Sequence, residues 1–103
     1  KLNKFIAQMK IELAEAESNH PHFADGVSGR SRMNVDFNLG FLRNKNVNPP
    51  YMADSIILEE VFEAIEAYQK EDLVPAMLEL AQCGAVILRT MEMLENEIEE
   101  KEP

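Results

Sequence analysis

Glu60 and Glu63 stand three residues apart in the stretch Leu58–Tyr68, and Glu79 and Gln82 repeat that spacing in Met77–Arg89. Side chains at i and i+3 share one face of a helix. If two such helices pack antiparallel across a short turn, four oxygen-bearing groups converge between them. Crowded, partly buried carboxylates repel one another and resist ionisation. A hard divalent cation removes that penalty, and Mg²⁺ takes oxygen ligands of this kind, with Mn²⁺ a possible substitute.

A lone helical glutamate is ordinarily a good helix former on a solvated face, and Glu59, Glu66 and Glu71 are expected there. Glu79 is different, because it falls in the most apolar part of the chain. A buried carboxylate needs a partner or takes up a proton. Arg89 and Lys70 are candidate partners, which leaves a structural ion pair as the rival to a metal site. Gln82 adds no charge but offers a carbonyl oxygen.

The elements that must position these residues are legible as helices. Leu2, Phe5, Ile6, Met9, Leu13 and Ala16 follow helical spacing and predict a first helix over about 2–18. Asn19-His20-Pro21 ends it. His20 to Ser31, with Pro21, Asp25-Gly26 and Ser28-Gly29, is a loop. A short second helix is expected over Arg32–Arg43, weakened by Asn34, Asn38 and Gly40. Asn44–Pro50 forms a second loop. The third helix begins near Tyr51–Asp54 and reaches about Lys70, with Ile57, Leu58, Val61, Phe62, Ile65 and Tyr68 apolar. Lys70-Glu71-Asp72 turns the chain, and Asp72 suits an N-cap with Pro75 in the first turn of a helix running from Leu73 to about Glu97.

From Leu73 to Leu88 this fourth helix is apolar nearly all round, and such a helix is surrounded by protein. A chain of 103 residues hardly encloses one alone. The expected architecture is therefore all-α: about four helices per chain in one domain (1–103), completed as a bundle by a second copy, with dimer and tetramer both open. Ala81, Gly84 and Ala85 would admit a close neighbour, and the six methionines are expected to fill the core.

Composition sets further bounds. The chain is 46% hydrophobic, so it folds. No run of about 18 apolar residues suggests a membrane span. A single cysteine, Cys83, excludes an internal disulfide and fits a reducing cytoplasm; it is expected as a packed small hydrophobe. Net charge is −9, which argues against nucleic-acid and anionic-membrane partners. Against that background Arg30, Arg32, Arg43 and Lys45 make the middle of the chain locally basic. Ordinary surface charge explains them, and so would a role in steadying phosphates. His20 and His22 are loop residues with weak metal-ligand spacing.

The paired motif resembles that of the MazG-like all-α NTP pyrophosphatases, in which Glu-x-x-Glu on one helix precedes Glu-x-x-Asp on the next. Here Glu60-Val61-Phe62-Glu63 is followed, after fifteen intervening residues, by Glu79-Leu80-Ala81-Gln82. The continuation Cys83–Arg89 is similar to phage-type members, as, more loosely, is Asn19–Gly26. The resemblance covers about residues 54–92. It implies a homodimeric or larger helical bundle that binds Mg²⁺ and splits a nucleoside triphosphate to the monophosphate and pyrophosphate, by attack of water near the α-phosphorus. Glu60, Glu63 and Glu79 would be the catalytic ligands, with Gln82 in the fourth ligand position. Gln82 is also the departure, since the family has aspartate there and losing a negative ligand weakens metal binding. The alternative is a catalytically inactive bundle that serves as a protein-interaction or nucleotide-binding module.

Overall fold

The computed structural model describes residues 2–27 and 34–102. Among these residues the chain is all-α, with α1 Leu2–Asn19, α2 Val35–Asn46, α3 Ala53–Gln69 and α4 Leu73–Lys101. It divides into two compact units, one of Lys1–Gly26 with Leu88–Pro103 and one of Val27–Ile87.

The second unit carries the site. Its core begins on α2, where Val35, Leu39 and Leu42 recur at helical spacing and are buried. This stripe packs α2 on α3. Ser55 and Ala64 on α3 and Ala76 and Cys83 on α4 complete the buried set.

The second helix starts and ends three residues later than the sequence spacing predicts. Asn34 adopts the left-handed conformation (φ 51°, ψ 45°), so a right-handed helix can begin only after it. Asparagine tolerates that conformation well. Its carbonyl accepts bonds from both the backbone nitrogen (3.1 Å) and the side-chain Nδ2 (3.0 Å) of Asn38. At the far end α2 continues through Arg43 and Lys45, cations that suit the negative end of a helix dipole. The Arg32 and Met33 part of the expected helix lies outside the described residues.

The turn between α3 and α4 has a specific form. Asp72 N bonds Ala67 O (2.9 Å) and Glu71 N bonds Tyr68 O (2.9 Å), with Glu71 at φ 63°. These are the two bonds of a Schellman cap, in which the left-handed position is usually glycine. Asp72 O then accepts from Ala76 N at 2.9 Å and opens α4.

The single chain leaves α4 unenclosed, as expected of its size, and departs from expectation at the methionines. Leu73, Val74, Met77, Leu78 and Leu80 on α4 are exposed, Val74 at 81% and Met77 at 70%, so the single chain does not surround this helix. No atom lies within 4 Å of where a Gly84 Cβ would stand, so no neighbour in the chain demands a glycine there. The described methionines do not fill the core either: Met52, Met77 and Met93 are exposed, and Met9 and Met91 are half-buried. By length and composition α4 is apolar enough to cross a membrane, with a window of mean hydropathy 1.3.

In the first unit Phe5 is buried, and Lys4 Nζ meets Glu95 Oε2 at 2.8 Å. Beyond the expected end near Glu97, α4 stays helical through Glu99 and Glu100 to Lys101.

Candidate metal centre

Glu60 and Glu63 project from one turn of α3, and Glu79 from the second turn of α4. Each offers a carboxylate oxygen, and these oxygens all lie within 4.8 Å of one another; all three residues are half-buried. The convergence expected from the spacing is thus present within the Val27–Ile87 unit. Opposite oxygens on one Mg²⁺ lie about 4.2 Å apart, and on one Ca²⁺ about 4.8 Å, taking twice the metal–oxygen distance. The three carboxylates therefore have the oxygen chemistry and the span for a single hard cation.

Gln82 joins them from the next turn of α4. With its amide nitrogen facing inward, it donates to Glu79 Oε2 (3.0 Å) and Glu60 Oε2 (3.3 Å). The same side chain turned about presents its carbonyl oxygen instead. The amide thus serves the carboxylates as a neutral donor and can serve a cation as a ligand.

The crowding has electrostatic consequences. Burial, then the charges of Glu79 and Glu59, push the Glu60 carboxyl above its usual range. Glu63 is pushed up to about 7, first by burial and then by a hydrogen bond with Glu59, the charges of Glu60 and Glu59, and a hydrogen bond with Glu79. Two carboxyl groups can share a hydrogen bond only when one holds a proton, so this cluster keeps a proton near neutrality. Arg43 Nε lies 3.7 Å from Glu63 Oε1, too far and too exposed to reverse the effect. Burial and the charge of Glu60 also raise the Cys83 thiol, which suits a packed apolar role and not a nucleophile.

Two glutamates expected on a solvated face are drawn into this network. Glu59 is half-buried and accepts a 2.8 Å bond from Asn46 Nδ2 at the end of α2. Glu66 is half-buried between Arg43 Nη2 (3.9 Å) and Lys70 Nζ (3.8 Å). Glu59, Glu63 and Glu66 recur at i, i+4 and i+7, one helical face, a signal present in the sequence. Glu71 is exposed as expected. Lys70 meets Glu66, and Arg89 is exposed, so the ion pair considered for Glu79 is replaced by contacts with carboxylates and an amide.

Of the four basic residues, Arg43 stands beside the cluster. Lys45 is exposed, and two residues along a helix carry it to a different face. Arg30 and Arg32 lie outside the described residues. His20 and His22 are exposed, and His22 Nε2 pairs locally with Asp25 Oδ1 at 2.9 Å.

Comparison of the chain with family models, curated proteins and solved structures returns no match.

Proposed function

We propose that the chain is a divalent-cation-dependent nucleoside triphosphate pyrophosphohydrolase of the MazG-like kind. The observation that carries this reading is the meeting of Glu60, Glu63 and Glu79, from two helices, with carboxylate oxygens within 4.8 Å. In this reading these three hold Mg²⁺ or Mn²⁺, and Gln82 turns its carbonyl oxygen toward the same ion. A cation bound there supplies neutralisation of phosphate charge and acidification of the attacking water. Arg43, half-exposed at the rim and only loosely paired with Glu63 and Glu66, is placed to release a carboxylate and take a phosphate oxygen. Glu63 loses its proton when the cation arrives, because both compete for the same oxygens.

The exposed apolar side of α4 supports a homodimer as the working form. Val74, Met77 and Leu78, at i, i+3 and i+4, are exposed together on one face, a grouping that marks interfaces more than scattered single residues do. Val74→Glu with Leu78→Asp turns a dimer into monomers in sedimentation if that side is the interface.

One observation favours a second reading, an inactive bundle that binds a nucleotide or another protein. The Gln82 amide nitrogen already satisfies Glu60 and Glu79 where the family motif places a fourth charge.

A panel of NTPs and dNTPs with saturating Mg²⁺ or Mn²⁺ tests both. Release of pyrophosphate and monophosphate by the wild type supports the enzyme. Activity that appears only in Gln82→Asp supports the inactive bundle, and no hydrolysis by either protein removes the enzymatic reading.

A further inference from the structure

Two faces of α2 are apolar, and the chain covers one of them. Val35, Leu39 and Leu42 are buried, while Phe37 and Phe41, one turn apart on the opposite side, are 68% and 59% exposed. Gly40 stands beside both rings, and Lys45 follows Phe41 by one more turn, also exposed. Glycine weakens a helix interior relative to alanine. Yet among the described residues nothing lies within 4 Å of where a Gly40 Cβ would stand. Gly84 on α4 repeats the case, with the same open space. It shares its side of the helix with the exposed Met77, Leu80 and Ala81. Each of these two helices thus carries a glycine that no neighbour in the chain requires, on an apolar side that the chain leaves open. Both sides belong to the Val27–Ile87 unit.

The two sides complement each other in shape and in charge. On α2 two large rings flank a notch at Gly40; on α4 the small Ala81 and Gly84 leave a hollow that a ring fills when helices pack ridge into groove. Lys45 is the cation on the exposed side of α2, and Glu71 and Asp72, both exposed, stand at the head of α4. A second copy of a chain with net charge −9 is repelled at long range. A local match of opposite sign then sets which surfaces meet and in what register. We infer that the exposed side of α2 receives α4 of a second copy of this chain, antiparallel, with Gly40 and Gly84 letting the two helices approach closely. Four residues advance a helix by about 6 Å. With Lys45 beside Glu71 and Asp72, Phe41 therefore falls near Met77 and Phe37 near Ala81. A two-fold pair makes the contact twice, α2 of each copy on α4 of the other. This rests on the reading of the protein as a homodimer and names the surface that covers α4.

Sedimentation of the full chain reads the dimer, with circular dichroism confirming the fold of each variant. Gly40→Leu puts a strong helix former where the chain leaves open space, so helix content holds or rises. The dimer dissociation constant is nevertheless expected to rise about tenfold or more, because the added bulk blocks the approach. Phe37→Asp with Phe41→Asp, at positions exposed in the single chain, gives a comparable loss. Asn44→Cys in one copy and Val74→Cys in another, both with Cys83→Ala, form the mixed disulfide on oxidation in preference to either symmetric one. Wild-type dimer affinity in Gly40→Leu or in the paired phenylalanine variant overturns the inference while the homodimer stands. So does a symmetric disulfide between two Val74→Cys copies as the main product, since α4 then meets α4. A wild type that stays monomeric at every concentration, by contrast, overturns the homodimer reading itself and the α2 contact with it.

Discussion

Glu60-x-x-Glu63 on α3 and Glu92-x-x-Glu95 on α4 have the same spacing and different surroundings. Glu95 is half-buried and meets Lys4 of α1 at 2.8 Å, while Glu92 is exposed. The bond to Glu95 also holds the Lys4 ammonium above its ordinary range. In that unit the cation facing the carboxylate is built into the chain. Around Glu63 stand the carboxylates of Glu60 and Glu79, with oxygens within 4.8 Å of one another, and the Arg43 guanidinium reaches it only at 3.7 Å. Glu12-x-x-Glu15 and Glu97-x-x-Glu100 repeat the spacing once more and stay exposed. Spacing on one helix therefore supplies only a face. Convergence requires a second helix that answers acid with acid, as α4 does with Glu79.

The largest expected effect separates the two regions on activity. Glu63→Ala lowers pyrophosphate release by more than about 100-fold, beyond the loss typical of a residue that only orients a ligand. Glu92→Ala, equivalent in spacing, leaves the rate unchanged. Equal rates for both variants would erase the distinction between the two regions.

A second prediction concerns pH. Glu63 holds its proton more tightly folded (about 7) than at its ordinary value of 4.5. Between those values the folded chain binds a proton that the unfolded chain has lost. Metal-free stability is therefore greatest below about pH 4.5 from this group, falls as pH rises toward 7, and levels off above. The fall is on the order of 2 kcal/mol, at roughly 1.36 kcal/mol for each pH unit between the two values, reduced by the solvent that reaches the cluster. Glu63→Gln flattens this part of the melting-temperature profile. Mn²⁺ raises the melting temperature more at pH 8 than at pH 5.5, because at the lower pH it must displace the proton. The Lys4–Glu95 pair does not contribute to this slope through Lys4, whose proton is held throughout this range.

Breaking that pair sharpens the contrast from the other side. Lys4→Ala barely moves the denaturant-unfolding midpoint, as loss of an exposed ion pair does, and leaves cation affinity untouched. The smallest effect is at the turn. Glu71→Gly raises stability by about 0.5 kcal/mol, since glycine takes the left-handed position without the cost that glutamate bears there but loses more entropy on folding. A fall in the melting temperature of Glu71→Gly would contradict the assignment of that cap.

The sequence made the helices legible because each carries a repeating apolar face, and α1, α3 and the start of α4 lie within two residues of their expected bounds. The shift of α2 came from Asn34, whose left-handed conformation leaves no periodic trace. The trio of Glu60, Glu63 and Glu79 was legible from spacing across a short turn. Glu59 and Glu66 were misplaced because each was weighed singly, although with Glu63 they mark one face. Arg43 and Asn46 reach the cluster through the packing of α2 on α3, a long-range contact that no local pattern encodes. The exposed side of α4 is the converse case: its apolar sequence implies a cover that a single chain does not provide.

If Glu60, Glu63 and Glu79 gather around one cation, Mn²⁺ titration of the full chain reads it out. One Mn²⁺ is expected to bind per chain, with affinity falling in Glu60→Gln, Glu63→Gln and Glu79→Gln and unchanged in Glu92→Gln. Mn²⁺ that binds all four variants as it binds the wild type would contradict it.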